Sequence, residues 1–81
     1  MIFAYILGKI DKGSETSVLE ALKQMDKVKK ASLIYGVYDL CVEAEFETME
    51  ELDAFVFNMV RKLQGIKDTC TLIVARTYSK Q

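Results

Sequence analysis

Hydrophobic residues along this chain change their period several times, and each change marks the border of an element. From Ile2 to Ile10, Ile2, Ala4 and Ile6 fall on one face of an extended chain and Phe3, Tyr5 and Leu7 on the other. Apolar character on both faces predicts a strand in the middle of a sheet. Lys12-Gly13-Ser14 interrupts it, and Val18, Ala21, Leu22 and Met25 then recur at the i, i+3, i+4, i+7 spacing of an amphipathic helix. That helix is expected to end near Asp26. Its start is open between Ser14 and a capping box of Ser17 and Glu20.

Period two returns in Ala31, Leu33, Tyr35 and in Tyr38, Leu40, Val42, Ala44, Phe46, on either side of Gly36-Val37. Glycine followed by any residue suits a two-residue type II′ hairpin turn, which needs φ > 0 at its first central position. The register can be checked internally. It sets Tyr35 opposite Tyr38, Leu33 opposite Leu40 and Ala31 opposite Val42 on one face. On the other it sets Ile34 opposite Asp39, Ser32 opposite Cys41 and Lys30 opposite Glu43. The apolar set stays together and one opposite-charge pair forms, so the register is self-consistent.

Thr48-Met49-Glu50-Glu51 reads as a capping box. Leu52, Phe55, Val56, Met59, Val60 and Leu63 make a broad helical stripe, which Gly65 stops. A last strand, Lys67 to Thr77, turns Thr69, Thr71, Ile73 and Ala75 to one face and Cys70, Leu72, Val74 and Arg76 to the other. The order β-α-β-β-α-β, with right-handed crossovers, gives an α+β ferredoxin-like fold: a four-stranded antiparallel sheet with two helices on one face. The other face would be bare and largely apolar, so the sheet is expected to dimerise face to face.

Composition then removes functions. Eighty-one residues make one domain, and 51% of them are hydrophobic. So short a chain buries only about 60% of its unfolded surface, which favours self-association. No histidine is present, so imidazole bases, His-paired nucleophiles and His-ligated metals are excluded, and no cofactor is expected. Two cysteines, Cys41 and Cys70, supply neither a disulfide scaffold nor a metal motif. Eleven basic against twelve acidic residues leave a net charge of −1, a poor footprint for direct nucleic-acid binding. The apolar stretch Met1 to Leu7 is too short to span a bilayer, and the expected location is cytoplasmic.

Few residues carry chemistry. Asp39 feeds a central strand from the hairpin turn, where its carboxylate either bonds turn amides or accepts from a ligand ammonium group. Thr69 and Thr71 share one strand face, as β-formers or as ligand hydroxyls. Tyr5, Tyr35 and Tyr38 read as core or interface anchors. Cys41 and Cys70 read as small interior or interface hydrophobes. Lys27, Lys29 and Lys30, and Glu43, Glu45, Glu47, Glu50 and Glu51, read as solvated faces.

With these elements placed, Ala4–Ile10, Val18–Leu22, Gly36-Val37-Tyr38-Asp39-Leu40 and Gly65-Ile66-Lys67-Asp68-Thr69-Cys70-Thr71 together resemble one domain. It is the effector-binding and oligomerisation (RAM) domain of Lrp/AsnC transcription regulators. The hairpin G-x-Y-D and the G-[IV]-x-x-T-x-T lead into the last strand are its most specific pieces. The resemblance implies a homodimer that assembles into an octamer or similar ring and binds a small-molecule effector, an amino acid, between dimers. Effector contacts would fall on Gly36, Val37, Tyr38, Asp39, Thr69 and Thr71, with Asp39 on the ammonium and the hydroxyls and backbone amides on the carboxylate. Full regulators of the family carry a helix-turn-helix domain ahead of this one. The expectation here is a single RAM-like domain over residues 1–81 without it, acting on transcription through a full-length regulator. Two other functions stay open: a small dimeric ferredoxin-like barrel enzyme of monooxygenase or isomerase type, and a purely structural oligomerisation module.

Overall fold

A computed structural model describes residues 1–80. Its elements are β1 (Ile2–Ile10), α1 (Glu15–Lys23), β2 (Val28–Leu33), β3 (Leu40–Phe46), α2 (Met49–Phe55) continued by a π-helical turn (Val56–Val60), and β4 (Ile66–Ile73). All neighbouring strands are antiparallel, in the order β2-β3-β1-β4. This is the expected ferredoxin-like arrangement, with β1 and β3 central.

The alternation in β1 and β3 decides where the core lies. Ala4, Ile6 and Ile10 of β1 and Leu40, Val42, Ala44 and Phe46 of β3 are buried on one face of the sheet. Val18 and Leu22 of α1, Leu52 and Phe55 of α2, and Val56 and Val60 of the π turn close over them. Phe46 and Phe55 meet with ring centroids 5.3 Å apart, tilted by 53°, joining sheet to helix. Burying each such large side chain contributes about 1.5–3 kcal/mol.

The hairpin register is as expected: Lys30 pairs with Glu43, Ala31 with Val42, Ser32 with Cys41 and Leu33 with Leu40. Its turn is wider than two residues. Pairing ends where the Ile34 N–H donates to the Asp39 carbonyl (2.8 Å), and residues 35–38 loop beyond it instead of pairing Tyr35 with Tyr38. Gly36 takes φ +140°, in the region that favours glycine.

Both helices differ in detail from the periodic reading. Ser17 lies inside α1, not at its cap, and its hydroxyl donates to the Ser14 carbonyl (3.0 Å). Glu15 secures the first turn by accepting from the Gly13 N–H (2.9 Å), and α1 closes at Lys23, before Asp26. At α2 the Thr48 hydroxyl accepts from the Glu51 N–H (3.1 Å), while the Glu51 carboxylate reaches past the cap residue to the Glu47 N–H (2.8 Å). That hydrogen bond, chiefly, holds the Glu51 carboxyl below its ordinary pKa, with a smaller pull from Lys27 at 3.6 Å.

The π turn carries the main correction to the stripe. The Arg61 N–H donates to the Val56 carbonyl (2.9 Å), five residues back, and the widened turn carries Met59 out of the core. Met59 is 42% exposed while Val56 and Val60 stay buried. The last strand is also shorter than the alternation proposed. It ends at Ile73, with one further bond from the Val74 N–H to the Phe3 carbonyl (2.9 Å), so Ala75, Arg76 and Thr77 lie outside it.

Candidate functional site

The chemistry-bearing residues gather at the end of the sheet where β1 leaves it, but they do not all meet. Asp39 is the pivot. Its N–H donates to the Gly8 carbonyl (2.9 Å) and its Oδ2 accepts from the Ile10 N–H (2.9 Å), so it grips β1 twice. The carboxylate thus serves a distant strand amide and not the amides of its own turn. An ionised carboxylate accepts about four hydrogen bonds, so this one contact leaves acceptor capacity. Asp39 borders a shallow concavity of about 320 Å³ with Glu15, Leu33, Ile34 and Tyr35.

Gly8 is paired on its other side with Thr69, and Ile6 with Thr71, so both threonines share the helix-facing side of the sheet. They line a second concavity of about 430 Å³ between β4 and the π turn, with Phe57, Arg61 and Lys67. Here the Arg61 guanidinium carbon sits 5.0 Å from the centroid of Phe57. The Asp68 carboxylate accepts from the Thr69 N–H (3.0 Å), and Lys67 approaches Asp11 at 3.9 Å.

Tyr38 goes elsewhere. Its ring lies 5.9 Å from the Lys9 ammonium, and its hydroxyl neighbours Cys70, whose charge is the first cause of a raised Tyr38 pKa. Lys9, Asp68 and Cys70 all project from the helix-free face of the sheet, as the pairing of Lys9 with Asp68 and of Leu7 with Cys70 requires. Val37 and Gly36 are exposed at the hairpin tip. Within one protomer the expected set is therefore divided among the tip (Gly36, Val37), the helix-free side beside Lys9 and Cys70 (Tyr38), the Asp39 concavity and the Thr69–Thr71 concavity.

Two residues at these sites escaped the sequence reading, Glu15 beside Asp39 and Arg61 beside the threonines, and Phe57, which flanks the helical stripe and reads from sequence as core or interface, stands exposed beside Arg61. Phe57 and Arg61 are four apart on a helix, the spacing at which side chains meet, and that was a usable signal. Among the described residues no three His, Cys, Asp or Glu side chains converge as a metal site requires. No helix among them is long and apolar enough to cross a membrane.

The helix-free face completes the picture. Phe3, Tyr5 and Leu7 of β1, flanked by Cys70 and Leu72 of β4 and Cys41 of β3, lie on it, and Tyr5 and Leu72 are 36% and 47% exposed. Glu43 and Glu45 of β3 and Lys30 of β2 occupy its other half. Burial, above all, raises the Cys41 thiol pKa.

A one-sided ferredoxin-like sheet with two polar concavities at one end and an apolar open face is the class of fold this chain presents. The chain belongs to the Lrp/AsnC ligand binding domain family, whose model matches residues 4–81. It is 29% identical over 79 residues to the HTH-type transcriptional regulator FL11 of Pyrococcus furiosus, covering 98% of this chain and 52% of that protein. The chain thus spans about half the length of the curated relatives it matches. Among solved structures, FFRP-DM1 superposes with a TM-score of 0.87 at 40% identity, covering 91% of this chain and 99% of that one. The transcriptional regulator NMB0573 of Neisseria meningitidis, solved as an L-Met complex, shares the fold with a TM-score of 0.91 at 18% identity, covering 98% of this chain and 53% of that one.

Proposed function

We propose that this chain is a non-enzymatic, cytoplasmic effector-binding and assembly module, one RAM-type domain over residues 1–81, that takes an amino acid between dimers of a ring. Gly36, Val37, Tyr38, Asp39, Thr69 and Thr71 would contact the effector, and the ring would influence transcription by joining a full-length Lrp/AsnC regulator. One observation carries this reading. Asp39 and the Thr69–Thr71 pair border separate concavities of one protomer, so groups suited to the two ends of a zwitterion are available without one protomer enclosing it. A second copy, bringing its own hairpin or last strand, is the economical way to complete such a site. The class of ligand is supported by the L-Met complex of a protein with this fold.

The physical consequence is linkage. An effector held by two dimers binds the assembled state better than the dispersed one, and shifts assembly by that difference and no more. Thermal shift and calorimetry over the twenty amino acids, with sedimentation at matched concentrations, test this. At least one amino acid should raise the melting temperature and the average mass together. A panel in which none moves either quantity overturns the proposal.

A further inference from the structure

Arg61 is exposed, outside the core, and lines the concavity with Thr69 and Thr71. We infer that it receives the carboxylate of the effector in the concavity it shares with Thr69 and Thr71. This rests on the effector-binding reading above and names the group that would read the anionic end.

A regular helix through Val56–Val60 would keep Met59 in the core stripe, but the π turn turns it out. Such turns are rare, cost hydrogen-bond geometry, and recur at functional sites. Two side chains that follow from this turn, Phe57 and Arg61, both line the concavity. Phe57 is 54% exposed, so its ring is available as a platform, and the guanidinium lies 5.0 Å from the ring centroid. A guanidinium held on an aromatic face has lost part of its freedom and presents a planar fork that matches a carboxylate.

The charges around it leave Arg61 without an ion pair. Lys67, the other cation of the concavity, leans to Asp11 at 3.9 Å, and Asp68, the one anion that lines it, turns its carboxylate to the Thr69 N–H (3.0 Å). Among the described residues no carboxylate lies within ion-pair distance of Arg61. An Arg without an anion, on an aromatic platform, beside two hydroxyls in a space of about 430 Å³, suits a small carboxylate. Sites for small molecules run from about 300 Å³ upward.

The test uses the full chain, calorimetry, and each of the twenty amino acids with its α-amide, which keeps the ammonium and lacks the negative charge. For each amino acid that binds, Arg61→Gln should weaken binding about tenfold to a hundredfold, as loss of a charge-assisted contact does. Arg61→Lys, which keeps the charge but not the fork, should fall between. The α-amide should bind the unaltered chain and Arg61→Gln equally weakly. Thermal melts confirm that both variants fold; exposed Arg61 is outside the core. If Arg61→Gln binds the amino acid as tightly as the unaltered chain, or loses the α-amide in equal proportion, this assignment is wrong and the effector reading survives. If no amino acid binds the unaltered chain, both fall together.

Discussion

A Cβ placed on Gly65 would stand 2.6 Å from the Cβ of Ser14, closer than side chains approach one another. The loop leading into β4 therefore rests directly on the first turn of α1, and Gly65 also takes φ +100°. Gly65→Ala should cost about 1–2 kcal/mol from the left-handed backbone and about 1–3 kcal/mol more from the clash. Gly13→Ala is the control, because Gly13 has φ +95° with nothing near its Cβ position. Urea denaturation should rank Gly65→Ala as clearly the more damaging. Equal losses would mean that the contact with Ser14 counts for nothing.

Asp39 separates structure from sensing when replaced in two ways. Asp39→Asn keeps an acceptor for the Ile10 amide, whereas Asp39→Ala leaves that amide without its partner. Leaving it unsatisfied should cost about 1–3 kcal/mol in chemical denaturation, and Asp39→Asn well under that. Both should lose amino-acid binding in calorimetry, since neither has a charge to pair with an ammonium. An Asp39→Asn chain that binds normally would confine the carboxylate to its structural task.

The open face of the sheet sets the expected quaternary behaviour. Leu72 is exposed in the protomer and lies beside Tyr5 in the apolar half. Leu72→Glu should leave the circular dichroism of the fold intact and drive sedimentation toward the 9.2 kDa protomer. A carboxylate forced into a dry interface costs far more than one in water. Unchanged sedimentation would move the dimer contact to another surface.

Acid should weaken α2 through Glu51. Its folded pKa lies below the ordinary value of 4.5, because the Glu47 N–H favours the charged form. The sign follows directly: the contribution is present above pH 4.5 and is lost as pH falls through the depressed folded value. Denaturation profiles should show Glu51→Gln flattening that acid limb relative to the unaltered chain. Parallel profiles would show that the hydrogen bond carries no linkage.

Much of this architecture was legible because period two and period 3.6 are distinct signals. The pairing of Ala31 with Val42 and of Leu33 with Leu40 could be read from alternation alone. The turn could not, since loops of two and of four residues preserve the same pairing and differ only in whether Tyr35 and Tyr38 join the ladder. The π turn was hidden for a similar reason: Val56 and Val60 keep the same burial in either helix, and only Met59 reports the change. Asp39 was visible as a candidate, but its partner Ile10 lies 29 residues away, beyond any local pattern. The division of the site is a three-dimensional fact: sequence places Asp39 and Thr69 near one end of the sheet, but not in separate concavities.

The lopsided charge of the open sheet face would act as a ruler between two copies that met on it. Its apolar half is Phe3, Tyr5 and Leu7 of β1 with Cys70 and Leu72 of β4, bounded at one end by Lys9 and Asp68, while Glu43, Glu45 and Lys30 mark the other half. In a two-fold pair of copies laid face to face, matching the apolar halves leaves these charges at the wet rim. A slip by one strand, about 4.8 Å, would carry a glutamate over Tyr5 or Leu7 with no water to solvate it. The same stripe that looks like ordinary surface in one chain would then fix how far two chains can slide, and so the angle at which each pair hands its hairpins to the next.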